Sequence, residues 1–201
     1  MAYRLLYFPF RGRGEQIRLL LHALEIEYED VSVGKPRLME LKQQGPEALL
    51  FGAVPLLEDG DFKLAQGPAI IAYLGRKHGA APSDPELAAQ ADALTLGAED
   101  MRSKYFGLFG DDKEAKQTAF VEGDWTKRWL PAFEWLLSTG SDAHLVGDSL
   151  SYADIAVWDA LDGFVVYVDG ANFDGFPRVS AFYDAIAARP ALAGYLKDRA
   201  G

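Results

Sequence analysis

The pattern of the chain changes near residue 80, and this change constrains the fold more than any other feature of the sequence. Before it, short runs of β-favouring residues alternate with helical runs, whereas helical patterns dominate after it. Residues 79–85, which are rich in glycine, alanine and proline, have the composition of a linker. We therefore predict a first domain over residues 1–78 and an all-helical second domain over residues 86–201.

The first domain opens with a predicted β-α-β unit. A β-rich run over residues 3–8 is stopped by Pro9, and apolar residues at helical spacing follow over residues 14–25. Residues 28–33 form the second predicted strand. Such a unit favours a parallel strand pair joined by a right-handed crossover.

The rest of the first domain contains a predicted hairpin and a helix. Asp59-Gly60 is a strong turn signal between two short apolar runs, and Pro68 suits the start of a helix over residues 67–78. A further short helix is expected around residues 36–44. The predicted fold class is α/β plus all-α, a β-α-β-β-β-α domain followed by a helical bundle. We also consider a cis bond possible at Val54-Pro55.

In the second domain the patterns predict long helices over residues 85–109 and 113–138, and a helix over residues 178–188. Ser151 and Asp154 stand as N-cap and N3 of another helix, in a short-armed form of the capping box. We interpret this pair as a determinant of folding. The tryptophans occur at helical spacing, which favours packing in the core, and they are Trp125, Trp129, Trp135 and Trp158.

Composition excludes several classes of function. The 201 residues include no cysteine, so the chain has no disulfide, no thiolate nucleophile and no cysteine-bound metal. Its three histidines are far apart in sequence, and we expect no metal site. A net charge of −10 argues against nucleic acid or an anionic membrane as partner. With no signal peptide or membrane-spanning run recognised, we expect a cytoplasmic protein.

Several short motifs occur in a characteristic order and spacing. The first half contains Tyr7-Phe8-Pro9-Phe10-Arg11-Gly12-Arg13, Val54-Pro55, Asp59-Gly60-Asp61 and Tyr73-Leu74-Gly75-Arg76, and the second half contains residues 97–105 and 146–154. With these motifs the sequence resembles the cytosolic glutathione transferases, most closely the pi type, and this resemblance implies a thioredoxin-like fold for the first domain. The resemblance extends from about residue 3 to about residue 198.

This resemblance implies that Tyr7 activates the thiol of glutathione. A free thiol has a pKa of about 8.5 and is mostly protonated at neutral pH. A phenol that stays protonated can donate a hydrogen bond to the thiolate and thereby lower the pKa of the thiol. Arg13 matches the family arginine near the thiol, where a cation favours the thiolate. Tyr7 and Arg13 are therefore the expected catalytic residues, with glutathione as co-substrate.

The resemblance also implies a set of residues that bind the rest of glutathione. The backbone of Val54-Pro55 would pair with the cysteinyl part, as an added strand does. Gln66 and Gly67 would hold the γ-glutamyl carboxylate at a helix N-terminus. Lys42 is the expected ligand of the glycyl carboxylate. Two further positions complete the expected set, namely Ala53 and, from the partner subunit's side of a homodimer interface, Asp100.

The sequence departs from the family at two of these positions. Gly67 stands where the family has serine, and Ala53 stands where it has glutamine. Losing a hydrogen bond to a charged group weakens binding by about 1.5–3 kcal/mol. We therefore expect glutathione affinity to be lowered by about ten- to a hundredfold. We expect this loss of affinity unless water fills the gap left by the missing serine side chain.

An apolar electrophile is the expected second substrate. By resemblance, its pocket would be lined by the aromatic side chains Phe8, Phe10, Tyr105, Phe106 and Phe109, together with Arg13. Phe51 lies where related types carry an aromatic residue that inserts into the partner subunit, and such an anchor would dominate the energy of a dimer interface. We therefore expect a homodimer.

The expected transferase would conjugate glutathione to apolar electrophiles or isomerise one, such as a prostaglandin-type endoperoxide. Two alternatives to a transferase remain. A non-catalytic glutathione-binding or structural protein with the same fold is favoured by Gly67, Ala53 and the absence of the tryptophan that binds the glycyl carboxylate in the pi type, and it is opposed by Tyr7 and Arg13. A thioredoxin-type oxidoreductase is nearly excluded, because the chain has no cysteine.

Overall fold

A computed structural model describes residues 2–140 and 143–199. The chain divides into two compact units. The first comprises Met1–His78 together with Pro190–Gly201, and the second comprises Gly79–Arg189. Each unit is described separately below.

The described residues of the first unit form a mixed sheet of four strands. The strands are β1 (Tyr3–Tyr7), β2 (Tyr28–Ser32), β3 (Leu56–Asp59) and β4 (Phe62–Ala65), in the order β2-β1-β3-β4. Strand β1 is parallel to β2 and antiparallel to β3, and β3 and β4 form a hairpin. The predicted parallel pair and hairpin are therefore confirmed.

Three helices connect or follow these strands. They are α1 (Glu15–Ala23), α2 (Lys35–Gln43) and α3 (Gly67–Lys77). The apolar side chains that predicted α1 and α3 are in the core, where Ile17, Leu20, Ile70 and Leu74 are fully buried. The fold class is as predicted, and α2 confirms the short helix expected around residues 36–44.

The second unit is helical over its described residues. Its helices are α4 (Pro85–Tyr105), α5 (Lys113–Phe120), α6 (Leu130–Thr139), α7 (Tyr152–Tyr167) and α8 (Pro177–Ala187). The helix predicted over residues 113–138 contains a π-helical segment, Val121–Trp129, between α5 and α6. Pro131 lies in the first turn of α6, directly after this segment. Because proline has no backbone N–H, it cannot donate the α-helical hydrogen bond to the carbonyl four residues earlier.

The interpretation of the tryptophans is correct for three of the four. Trp125, Trp129 and Trp158 are buried, but Trp135 on α6 is 63% exposed. The helical spacing indicated which side chains share a face with an apolar neighbour. Helical spacing does not show whether another element covers that face. The prediction that Trp135 packs in the core is therefore wrong.

The capping box that begins α7 is confirmed. The Asp154 backbone N–H donates to Ser151 Oγ, and the Asp154 carboxylate accepts from the backbone N–H of Ser151 at 2.7 Å. The carboxylate also accepts from the backbone N–H of Leu145 at 2.7 Å. Asp154 is fully buried, and burial raises the pKa of its carboxyl group.

The last helix, α9 (Pro190–Asp198), groups with the first unit. It packs against α1, although the sequence analysis assigned residues 190–201 to the helical domain. Asp84, in the predicted linker, caps α4 by accepting from the backbone N–H groups of Glu86 and Leu87. Within the described part of the chain, no helix has the length and apolar character needed to cross a membrane.

Candidate active site

Tyr7 is the last residue of β1, and its side chain is 5% exposed. Its phenol oxygen accepts a hydrogen bond from the backbone N–H of Arg13 at 2.8 Å. Arg13 belongs to a short 3₁₀ turn, Gly12–Gly14, that leads into α1. The chain therefore folds back on the end of β1 and directs a backbone donor at the phenol oxygen.

Two glycines in this turn contact the Tyr7 ring. Gly12 has a φ of +44°, and a Cβ at this position would lie 2.6 Å from Tyr7 Oη. A Cβ on Gly14 would overlap Tyr7 Cγ and Cδ1. Neither position can hold a side chain unless the tyrosine moves, so the close approach of the turn to the phenol depends on both glycines.

Arg18 on α1 organises the loop that follows Tyr7, and the sequence analysis did not identify it. Its guanidinium donates to the carbonyl oxygens of Phe8 and Phe10, both at 3.0 Å, and binds Asp30 at 2.6 Å. It also lies 5.7 Å from the centre of the Tyr7 ring. Burial opposes the charge, but the hydrogen bond and charge of Asp30 raise the pKa of Arg18.

Glu15 connects this region to α9. The Glu15 carboxylate is 2% exposed; it accepts a hydrogen bond from Tyr195 Oη at 2.9 Å and lies 3.3 Å from Arg199 Nη1. It also lies 3.5 Å from Arg18 Nη1. Burial, together with the charge of Glu15, raises the pKa of the Tyr195 phenol. The i, i+3 spacing of Glu15 and Arg18 was a visible signal for the local pair, but no pattern pointed to α9.

Phe8 and Phe10 lie beside the candidate catalytic tyrosine. Their rings stack with centroids 5.2 Å apart, and each meets the Tyr7 ring edge to face. Phe10 is 49% exposed. The loop held by Arg18 therefore presents an apolar, partly accessible surface next to the phenol.

The Val54-Pro55 peptide bond is cis, as the sequence analysis considered possible, and it directly precedes β3. Ala53 is exposed and extended, with φ −140° and ψ 148°. Lys42 on α2 is also exposed, and a Cβ on Gly52 would meet its Cε at 3.6 Å. This places the Lys42 side chain beside the segment that leads to Ala53 and Val54.

Gln66 and Gly67 lie at the N-terminus of α3. Gln66 is the N-cap, with a φ of +77°, and Gly67 is the first residue of the helix. The space beside Gly67 is not empty, since Gln16 Nε2 lies 2.8 Å from the position that a Cβ would take. The expectation that a missing serine leaves a gap is therefore wrong, because the Gln16 side chain fills that space.

The remaining predicted site residues belong to the second unit. Asp100 is exposed on α4, and Glu99 beside it lies 3.5 Å from Arg102. Tyr105 contacts the rings of Phe106 and Phe109, with centroids 5.6 and 4.8 Å apart. Phe106 is 64% exposed. The structure thus brings the three aromatic residues of this unit together.

Phe51, the predicted dimer contact, is 71% exposed in the first unit. It has a φ of +63° within the 3₁₀ turn Leu50–Gly52. Leu50 beside it is 49% exposed. Two adjacent large apolar side chains therefore point away from the core of this unit.

Two family models match the chain. A model described as the N-terminal domain of glutathione S-transferase matches residues 3–76, and one described as the C-terminal domain matches residues 99–199. The chain is 32% identical to glutathione S-transferase P 1 of Xenopus laevis over 203 residues, which covers 99% of this chain and 93% of the relative.

The chain is also similar to solved structures over nearly its whole length. The pi-class glutathione S-transferase of Onchocerca volvulus superposes with a TM-score of 0.85 at 31% identity, covering 99% of this chain and 94% of the other. The prostaglandin synthase D of Nilaparvata lugens superposes with a TM-score of 0.82 at 25% identity, and the match covers all of both chains.

Proposed function

The chain belongs to the glutathione S-transferase family, and we propose that Tyr7 activates the glutathione thiol for attack on an apolar electrophile. The observation that carries this proposal is the hydrogen bond from the Arg13 N–H to the buried Tyr7 oxygen, at 2.8 Å. This bond withdraws charge from the phenol oxygen. The O–H group thereby becomes a stronger donor toward a thiolate.

The proposed reaction needs little covalent chemistry from the protein. The thiol of glutathione loses its proton to solvent water, and Tyr7 donates a hydrogen bond to the thiolate that remains. The sulfur attacks an electrophilic carbon and the leaving group departs with its electron pair. Orientation and charge stabilisation are then the contributions of the enzyme. The positive charge of Arg13, in the adjacent turn, favours the thiolate over the thiol.

The shape of the first unit supports the remaining glutathione contacts that we propose. The extended segment at Ala53 and Val54-Pro55 provides backbone groups for the cysteinyl part of the peptide. Lys42, which runs beside this segment, provides a cation for the glycyl carboxylate. Gln66 and Gly67 begin α3, where backbone N–H groups suit the γ-glutamyl carboxylate.

An apolar electrophile suits the aromatic side chains on each unit. Phe8 and Phe10 lie against the Tyr7 ring, and Phe10 is half exposed. The cluster of Tyr105, Phe106 and Phe109 supplies a second aromatic surface. We propose that these side chains bind the electrophile.

The test is turnover of chlorodinitrobenzene with glutathione by the wild-type chain and by Tyr7→Phe. Removal of a hydrogen bond to a charged group corresponds to a rate loss of about ten- to a hundredfold. We also expect the pH profile of kcat/KM for Tyr7→Phe to move toward higher pH, since the thiol then ionises less readily.

Tyr3→Phe is the matched control for this experiment. Tyr3 lies at the other end of β1, is equally buried, and bonds to His78 Nε2 at 2.7 Å. Its loss should leave both the rate and the pH profile unchanged. A Tyr7→Phe variant with wild-type kcat and pH profile would contradict the proposal.

The non-catalytic alternative makes a different prediction. It requires glutathione to bind in a calorimetric titration while no electrophile is turned over at millimolar glutathione. Gly67 and Ala53 favoured this alternative, but Gln16 now occupies the space beside Gly67. The space beside Gly67 is therefore filled, but the hydroxyl contact that the family serine makes is still absent.

A second candidate activity is isomerisation of an endoperoxide. It is favoured by the similarity to the Nilaparvata lugens structure described as prostaglandin synthase D. The thiolate would attack one oxygen of the O–O bond, which breaks and leaves the other oxygen as an alkoxide that takes up a proton. Loss of the proton on the carbon beside the S–O linkage would then form a carbonyl and release the thiolate. Product formation without net consumption of glutathione would distinguish this activity from conjugation.

We further propose a homodimer, in which Phe51 inserts into the partner and Asp100 approaches the partner's glutathione. The exposure of Phe51 and Leu50 supports a contact on this side of the first unit. Phe51→Asp should shift the sedimentation coefficient from that of a dimer to that of a monomer, whereas Phe62→Asp, on β4, should not.

A cytoplasmic location of the protein stays a prediction.

A further inference from the structure

Gln16 is buried in the first turn of α1 and reaches the start of α3. Its side chain is 1% exposed, and its Nε2 atom lies 2.8 Å from the position of a Cβ on Gly67. The carbonyl oxygen of Arg13 lies 3.3 Å from the same position. A Cβ atom does not approach other atoms so closely, so position 67 holds no side chain while Gln16 keeps this conformation.

The Gln16 amide has capacity for a further hydrogen bond. Its Nε2 atom carries two hydrogens, and its hydrogen bond to the Arg13 carbonyl oxygen is long, at 3.4 Å. Buried amide donors are generally hydrogen-bonded, because leaving one unsatisfied is unfavourable. The second N–H of Gln16 therefore suits an acceptor that arrives with a ligand.

The surroundings of this amide favour an anion. The first N–H groups of α3, an 11-residue helix, have no acceptor within the helix, and their dipoles carry partial positive charge. The first turn of α3 contains no acidic side chain. The amide of Gln16 adds a side-chain donor to the backbone donors at this helix end.

We propose that Gln16 binds the γ-glutamyl carboxylate of glutathione through Nε2, in place of the side chain that position 67 lacks. Gly67 and Gln16 then act as one unit, in which the glycine makes room for the amide and the amide provides the donor. This inference rests on the proposed function, in which glutathione places its γ-glutamyl carboxylate at the N-terminus of α3.

The test compares two ligands by calorimetric titration. One is glutathione, and the other is the analogue γ-aminobutyryl-cysteinylglycine, which lacks the γ-glutamyl α-carboxylate. We expect Gln16→Ala to bind glutathione about tenfold more weakly than the wild type, and to bind the analogue equally well. Gln16→Glu should bind glutathione more than tenfold more weakly and the analogue equally well, because its carboxylate would repel the γ-glutamyl carboxylate.

The reciprocal substitution sharpens the test. Gly67→Ser alone should weaken glutathione binding, because the serine Cβ meets Gln16 Nε2. The double variant Gln16→Ala/Gly67→Ser should regain most of the lost affinity, since the space is then open and the hydroxyl can donate. Thermal melting of each variant establishes that it is folded before titration.

The outcomes separate this inference from the proposed function. A wild-type chain that binds both ligands equally would contradict the carboxylate site at α3 itself. If the wild type prefers glutathione and Gln16→Ala keeps the same preference, the site stands and Gln16 has only a packing role. A reduced preference in Gln16→Ala supports the inference.

Discussion

Glu15 and Asp154 are both buried carboxylates in the first turn of a helix, but their partners lie at very different distances along the chain. Asp154 accepts from the backbone of Ser151 and Leu145, three and nine residues away. Glu15 accepts from Tyr195, which is 180 residues away. The near partners form a pattern in the sequence, whereas the distant one becomes visible only in the folded chain.

The two carboxylates also differ in what surrounds them. Asp154 is held by neutral donors, with His144 Nδ1 at 3.7 Å. Glu15 lies between two guanidinium groups, those of Arg18 and Arg199. A local cap thus stabilises one helix, whereas the Glu15 cluster connects a helix to the end of the chain and to the loop after Tyr7.

The largest expected effect is that of Asp154→Ala. Its removal leaves several buried donors without an acceptor, and such losses destabilise a fold by about 3–5 kcal/mol. Asp154→Asn, which keeps one acceptor oxygen, should lose less. Urea denaturation measures both. A loss below about 1 kcal/mol for the alanine variant would show that the local cluster contributes only as an ordinary cap does.

Tyr195→Phe tests the distant cluster. It removes one hydrogen bond to a buried charge, and we expect a loss of about 1.5–3 kcal/mol in the free energy of unfolding. A double-mutant cycle with Glu15→Gln should give a coupling energy of at least about 0.5 kcal/mol. If the two losses in the free energy of unfolding simply add, the hydrogen bond between Tyr195 and Glu15 does not help α9 to pack against α1. Glu15 would then not differ from Asp154 in the way described above.

Ser151→Ala removes the hydroxyl of the capping box but leaves the Asp154 carboxylate in place. We expect a loss of about 1 kcal/mol, as for other N-cap residues. Ser138→Ala, at an exposed position on α6, is the matched control and should change stability by less than about 0.5 kcal/mol. Equal losses of stability in the two variants would show that Ser151 does not stabilise α7 as a helix cap.

The smallest expected effect concerns pH. His22 stacks on Tyr195 with ring centroids 4.2 Å apart, and burial lowers its pKa, although Glu15 and Asp30 act in the opposite direction. The unfolded chain therefore takes up this proton first. The stability contributed by neutral His22 is fully present above its unfolded pKa of about 6.5. It is lost as the pH falls below that value.

His22→Phe checks this sign, because it keeps a stacked ring next to Tyr195 but cannot be protonated. Thermal melting between pH 5 and pH 8 should show a smaller acid loss for the variant than for the wild type. The same acid loss in both proteins would assign the effect to groups other than His22.

Features set by neighbouring residues could be predicted from the sequence. The hairpin at Asp59-Gly60 and the capping box at Ser151 depend on contacts a few residues apart, and both are confirmed. Tyr7 and Arg13 were found by resemblance, and the structure brings the Arg13 N–H to the Tyr7 oxygen.

Features set by distant contacts could not be predicted. Helical periodicity identifies an apolar face but not the element that covers it, so Trp135 was wrongly placed in the core. The same limit hid the association of α9 with the first unit. Gln16 was missed because nothing in the order of residues shows that its amide lies beside Gly67.

The two glycines that contact the Tyr7 ring have a thermodynamic consequence for the reaction. The backbone at Gly12 and Gly14 packs closely against Tyr7, so the orientation of the ring is fixed when the chain folds. Under the proposed function, little rotational entropy would then be lost when substrate binds, and the hydroxyl dipole would need little reorganisation as charge develops on sulfur. Folding would thus lower the activation free energy through two residues that have no functional group.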